Sequence, residues 1–220
     1  MTPSKVDALL TLPQRYEDRR VEVAEGVVAA LDIVRVFAKQ YGWSHLMREP
    51  FFYGVEVHAT QDLLWQRILE LHELPDQPVP TDALTAALEQ DILLAVVPEE
   101  AERARPEYFR DRRDWVRALA HEIVHRLHVR VLGGDEDAMG PEWFFEGFAV
   151  LGSGQTLGND LQVRNVEQAL NLARSSGRGA YARYAATVRF FAEQIALPEL
   201  VAQARRPDFD AWLRAALRAS

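Results

Sequence analysis

Residues Arg112–Leu132 read RRDWVRALAHEIVHRLHVRVL. Trp115, Leu119, Ile123, Leu127 and Val131 recur at helical spacing, so the stretch is expected to be a helix. Gly133-Gly134 follows as its stop. In its middle stands His121-Glu122-Ile123-Val124-His125, an HExxH pattern. Residues four apart on a helix share a face one turn apart, so both imidazoles can reach one metal ion. Glu122 sits beside them, near enough to take a proton from a water activated by the metal. Neutral imidazole is a standard zinc ligand at ~2.0–2.1 Å, and three protein ligands plus one water make a catalytic rather than a structural site.

A third ligand is therefore needed, and the chain offers few. His128 lies seven residues beyond His121, about 10.5 Å along the helix axis, too far for a straight helix to bring three such side chains onto one ion. It reads as a partly buried residue behind the ligands. The metzincin arrangement asks for Gly seven and His ten residues after the first His; those positions are His128 and Val131. The remaining candidate is Glu146, in Pro141-Glu142-Trp143-Phe144-Phe145-Glu146-Gly147-Phe148-Ala149. A carboxylate among aromatics is costly to bury unless it is paired or bound to a metal. Gly147 admits a close neighbour, and the residues between His125 and Glu146 suffice to end one helix, turn, and run a second helix back. Glu142, one turn earlier on the same face, is the nearest rival and reads as exposed.

The combination of His121-Glu122-x-x-His125 with Trp143-x-x-Glu146-Gly147-x-Ala149 resembles the gluzincin zinc metallopeptidases, closest to the peptidase MA-like group and more distantly to the M1 aminopeptidases. The resemblance covers Ile92 to Ala196. It implies zinc held by His121, His125 and Glu146, with Glu122 as the base. It further implies a tyrosine that opens a later helix and hydrogen-bonds the oxyanion; Tyr181 fits first and Tyr184 second. It also implies a strand at the sheet edge that holds extended substrate, and Ile92–Val97 is the expected strand. Two departures stand out. The thermolysin-type Asp four residues after the ligand Glu is replaced by Val150, and the Gly-x-Met-Glu-Asn exopeptidase motif is absent. The implied activity is therefore peptide-bond hydrolysis of endopeptidase type on a peptide or protein substrate. The alternative is a zinc-binding regulatory or partner-binding module with little or no catalysis.

Outward from this centre, the second half reads as helical: Pro141–Leu151, Val163–Ala173, Tyr181–Ile195 and Phe209–Leu217. The first half is mixed. Glu25–Tyr41 has a helical apolar stripe, and Phe51–Ala59 has strand-like alternation. Thr60 is placed to cap a helix over Gln61–Glu73. Pro75, Pro78 and Pro80 mark a loop, and Ile92–Val97 is an apolar run ended by Pro98 that fits a buried strand or a sheet edge. The expected fold is α+β: an N-terminal α/β lobe with a small sheet over 1–110, and a helical zinc-binding lobe over 111–220. The resemblance makes this one catalytic domain, zincin-like, with the active-site cleft between the lobes.

Composition removes other classes. The chain has 220 residues, 48% hydrophobic and 26% charged, values of a folded domain rather than a disordered one. It has no cysteine, so there is no thiol nucleophile and no Cys-ligated metal. A net charge of -8 argues against a nucleic-acid partner, which needs a basic face. Val27–Ala38, the longest apolar-looking run, carries Asp32 and Arg35 and is too short to span a membrane. No basic start followed by an unbroken apolar run is seen, so no signal peptide is expected; a full-length chain reads as cytoplasmic and a processed one as exported. His45, His58 and His72 lack ligand spacing.

Overall fold

The computed structural model describes residues 1–175, 177 and 179–218. Along the chain these form α1 (Pro3–Asp7), β1 (Leu10–Thr11), α2 (Arg20–Gln40), β2 (Gly54–His58), α3 (Gln61–Leu71), β3 (Ala86–Glu89), β4 (Ile92–Val96), α4 (Pro98–Ala104), α5 (Arg112–Val131), α6 (Glu142–Gly152), α7 (Val166–Ala173), α8 (Ala180–Ala192), α9 (Leu197–Gln203) and α10 (Phe209–Arg218). The fold is α+β with one small mixed sheet, as the sequence pattern requires. The chain divides into two compact units: Met1–Val36 with Met47–Ile123, and Phe37–Leu46 with the chain from Val124 on.

The first unit holds the sheet, in the order β1-β2-β4-β3. β1 and β2 are parallel, β2 and β4 are parallel, and β3 returns antiparallel to β4. β4 is an unbroken apolar run because both of its faces are covered: Leu93, Leu94, Ala95 and Val96 are all buried. Its position corrects the expectation that Ile92–Val97 offers an edge to substrate. Both of its hydrogen-bonding edges are already occupied, by β2 and by β3. The outer strands are β1 and β3.

β3 is the strand with no signal of its own. Ala86-Ala87-Leu88-Glu89 are helix formers, and pairing with β4 overrides that preference. The two strands meet at Glu89 and Ile92, leaving a two-residue loop. Both loop residues, Gln90 (φ 45°) and Asp91 (φ 64°), are left-handed, as a tight hairpin demands. Neither is glycine or asparagine, which is why the turn is silent in the sequence.

Two further contacts order this unit. Thr60 caps α3 by accepting from the Leu63 amide at 3.4 Å. The buried Trp115 indole on α5 donates to the Val96 carbonyl at 2.9 Å, which ties α5 to the end of β4. Gly26 of α2 leaves room for that indole, since a Cβ there would lie 2.7 Å from the ring.

The second unit is helical. α5 ends where Gly133 (φ 71°) and Gly134 (φ 94°) turn the chain left-handed. The Gly134 amide donates to the Val129 carbonyl at 2.9 Å, satisfying an acceptor the helix end leaves open. α6 is apolar on nearly every side, and Trp143, Phe144, Phe148, Ala149 and Val150 are buried. Phe148 meets Phe37 edge-on at 5.4 Å, and Trp143 stacks on Phe209 of α10 at 5.7 Å. Gly147 sets the crossing of α6 and α8. A Cβ there would sit 2.6 Å from both the Tyr184 carbonyl oxygen and a Val188 methyl. No helix among the described residues is long and apolar enough to cross a membrane.

Candidate metal centre

α5 carries His121 and His125 one turn apart, and α6 carries Glu146. A helix places i and i+4 side chains on one face, so α5 alone aligns the two imidazoles. The Gly-Gly stop and the following loop then return the chain so that α6 supplies the carboxylate. One ligand atom from each of His121, His125 and Glu146 lies within 4.8 Å of the others, the one such His/Cys/Asp/Glu group among the described residues. His125 Nε2 and Glu146 Oε2 stand 3.5 Å apart. Ligand atoms bound tetrahedrally at ~2.1 Å from one ion are separated by about 3.4 Å. The His125–Glu146 spacing matches that separation, the 4.8 Å spread of the whole group is wider, and the three residues together could hold one metal ion.

Burial suits the same purpose. His121 is 6% exposed, while the side chains of His125 and Glu146 keep 22% and 14%. The three side chains are thus largely, but not wholly, withdrawn from solvent. Phe145 packs edge-on against the His125 ring at 5.8 Å and is itself half-buried. Glu122 follows His121 on α5 and is half-buried.

The tyrosines of α8 differ in setting. Tyr181, in the first turn, is 38% exposed, and Tyr184 is 4% exposed. Their rings lie 6.5 Å apart. The Tyr184 phenol is held above its ordinary range, first by burial, then by the negative charge of Glu142, with Glu146 adding to it and Arg183 opposing. Burial is thus the first cause of the shift, and the charge of Glu146 is a lesser one.

His128 is outside the ligand group. It is fully buried, and neither ring nitrogen has a hydrogen-bond partner. Its ring lies over Phe148 at 4.4 Å and meets Phe144 at 5.9 Å. Burial, reinforced by His125, drives its pKa down to about 3. It is an uncharged imidazole in a hydrocarbon wall, more deeply enclosed than its spacing suggests.

Comparison of the chain with protein-family models, with characterised proteins and with solved structures returns no match.

Proposed function

We propose that the chain is a zinc-dependent peptide hydrolase with a zincin-like arrangement of helices. One observation carries this reading: the ligand atoms of His121, His125 and Glu146 converge within 4.8 Å from an HExxH helix and the helix after it. A zinc ion held there supplies, when bound, Lewis-acid polarisation of a carbonyl and a lowered pKa for a water molecule.

The chain's own groups divide the remaining work. Glu122 takes a proton from the attacking water and delivers it to the departing amine nitrogen. A phenol of α8, from Tyr181 or Tyr184, donates a hydrogen bond to the oxygen that gains charge as the carbonyl is attacked. Tyr181 is the more accessible of the two, and the charge of Glu146 reaches Tyr184. The aromatic flank of Phe145 limits water at the His125 side, which strengthens each electrostatic contact.

Metal analysis and a peptide-cleavage assay test this together. The expected result is one zinc per chain in both wild type and Glu122→Gln, with cleavage in the variant reduced roughly 10²–10⁴-fold. A protein that takes up no zinc at micromolar concentration sinks the reading. Zinc retained without any Glu122-dependent cleavage replaces it with a zinc-binding regulatory module.

A further inference from the structure

Glu142 lies outside the proposed hydrolytic chemistry. It opens α6 and is exposed. It precedes the ligand Glu146 by one turn, so the two carboxylates share a face. Yet Glu142 is not in the ligand group, and among the described residues it makes no hydrogen bond or ion pair. Phe145, three residues on, is its neighbour along the helix surface, and its ring lies edge-on to His125. An exposed carboxylate thus stands one helical turn before Glu146 and beside a half-buried ring that borders His125.

We propose that Glu142 and Phe145 form a subsite for a cationic group of the substrate, an ammonium or guanidinium carried on an apolar stem. The stem lies along Phe145 and the charge faces Glu142. A neutral or acidic group gains nothing there, and an acidic one is repelled. The negative charge of Glu142 also reaches Tyr184 of α8, helping to hold that phenol above its ordinary range. This rests on the hydrolase reading, because it takes the triad's surroundings to be where a peptide lies. The competing explanation is a first-turn acid that only steadies the helix dipole of α6. Such a residue affects melting temperature and is blind to peptide charge.

The test uses zinc-loaded Glu122→Gln protein, which retains peptide without turnover, alone and combined with Glu142→Gln or Glu142→Arg. Calorimetry measures binding of N-acetylated, C-amidated alanine-based hexapeptides bearing arginine, norleucine or glutamate at one position. A fourth peptide carries norleucine and a free amino terminus. The arginine peptide is expected to bind roughly tenfold tighter than the glutamate peptide, with the ratio below about threefold in Glu142→Gln and inverted in Glu142→Arg. A preference that appears only with the free amino terminus assigns the cation to the chain end rather than to a side chain. Equal binding of all peptides, no binding of any, or a preference that survives Glu142→Gln overturns the proposal. Cleavage by wild type without regard to charge removes this subsite and leaves the hydrolase standing. Charge-dependent binding without cleavage does the reverse.

Discussion

His125 keeps 22% of its side chain exposed and meets the carboxylate of Glu146 at 3.5 Å. His128, three residues further along the same helix, has no exposed surface and no hydrogen-bond partner for either ring nitrogen. The two imidazoles are chemically identical and differ in what α6 sets against them. Opposite His125 it places Glu146 and the edge of Phe145; opposite His128 it places Phe144 and Phe148. The helix that carries the candidate third ligand therefore also decides which histidine stands beside it and which is sealed in hydrocarbon. Enclosing an imidazole N–H without a partner costs about 1–3 kcal/mol, so the wall around His128 is a standing cost to stability.

The contrast can be broken most directly at the ligands. His125→Ala and Glu146→Ala should each lower zinc affinity by about 10²-fold or more, measured against a competing chelator, whereas His128→Leu should leave it within a few-fold. Equal losses from both histidines would erase the distinction. Next in size is the crossing that aims Glu146. Gly147→Ala forces a methyl to 2.6 Å from the Tyr184 carbonyl oxygen. A loss of about 2–3 kcal/mol in denaturant unfolding is expected, with weakened zinc retention. An unchanged midpoint would mean that α6 and α8 separate freely.

Acid titration sharpens the comparison further. The folded pKa of His128, about 3, lies below its ordinary value of 6.5. Between these limits the unfolded chain binds a proton that the folded chain refuses. Stability attributable to this group is thus complete above pH 6.5 and is lost as pH falls toward 3, at up to about 1.4 kcal/mol per unit. The half-buried His58, also shifted downward, chiefly by desolvation, adds to the slope below pH 6.5. The measurement is metal-free unfolding from pH 7 to 5, wild type against His128→Leu. Parallel curves would show that His128 is protonated in the fold. Smallest is the effect of that same variant at pH 8, where removing the unpartnered nitrogens should raise stability by about 1 kcal/mol. A large loss there would reveal a hydrogen-bonded His128.

Much of the centre was legible because it depends on local geometry. The spacing of His121 and His125 on a helix stopped by Gly133-Gly134 is fixed by the helix repeat alone. Glu146 was legible from a different cue, a carboxylate amid aromatics beside a glycine. Enclosure was harder to read. His128 lies at the same turn of sequence as its neighbour, and only the facing Phe144 and Phe148 seal it off. Strand β3 is silent in the sequence for a related reason. Ala86–Glu89 favours helix, and Gln90-Asp91 adopts left-handed backbone without the residues that usually announce it. Long-range pairing with Ile92–Val96 sets both, and it also moves that strand from an expected edge to the interior. The tyrosines were found by resemblance, and their spacing cannot rank them.

The stack of rings at the far side of α6 has a practical meaning. Trp212 lies over Phe209 at 5.9 Å, and Phe209 over Trp143 at 5.7 Å, nearly parallel in each case. Trp143 is three residues from Glu146, so α10 acts as a splint on the backbone that presents a ligand. A version of the protein cut before Phe209 would keep every candidate coordinating residue and yet lose the ring that steadies the turn carrying Glu146, a defect that no inspection of the triad itself would foresee.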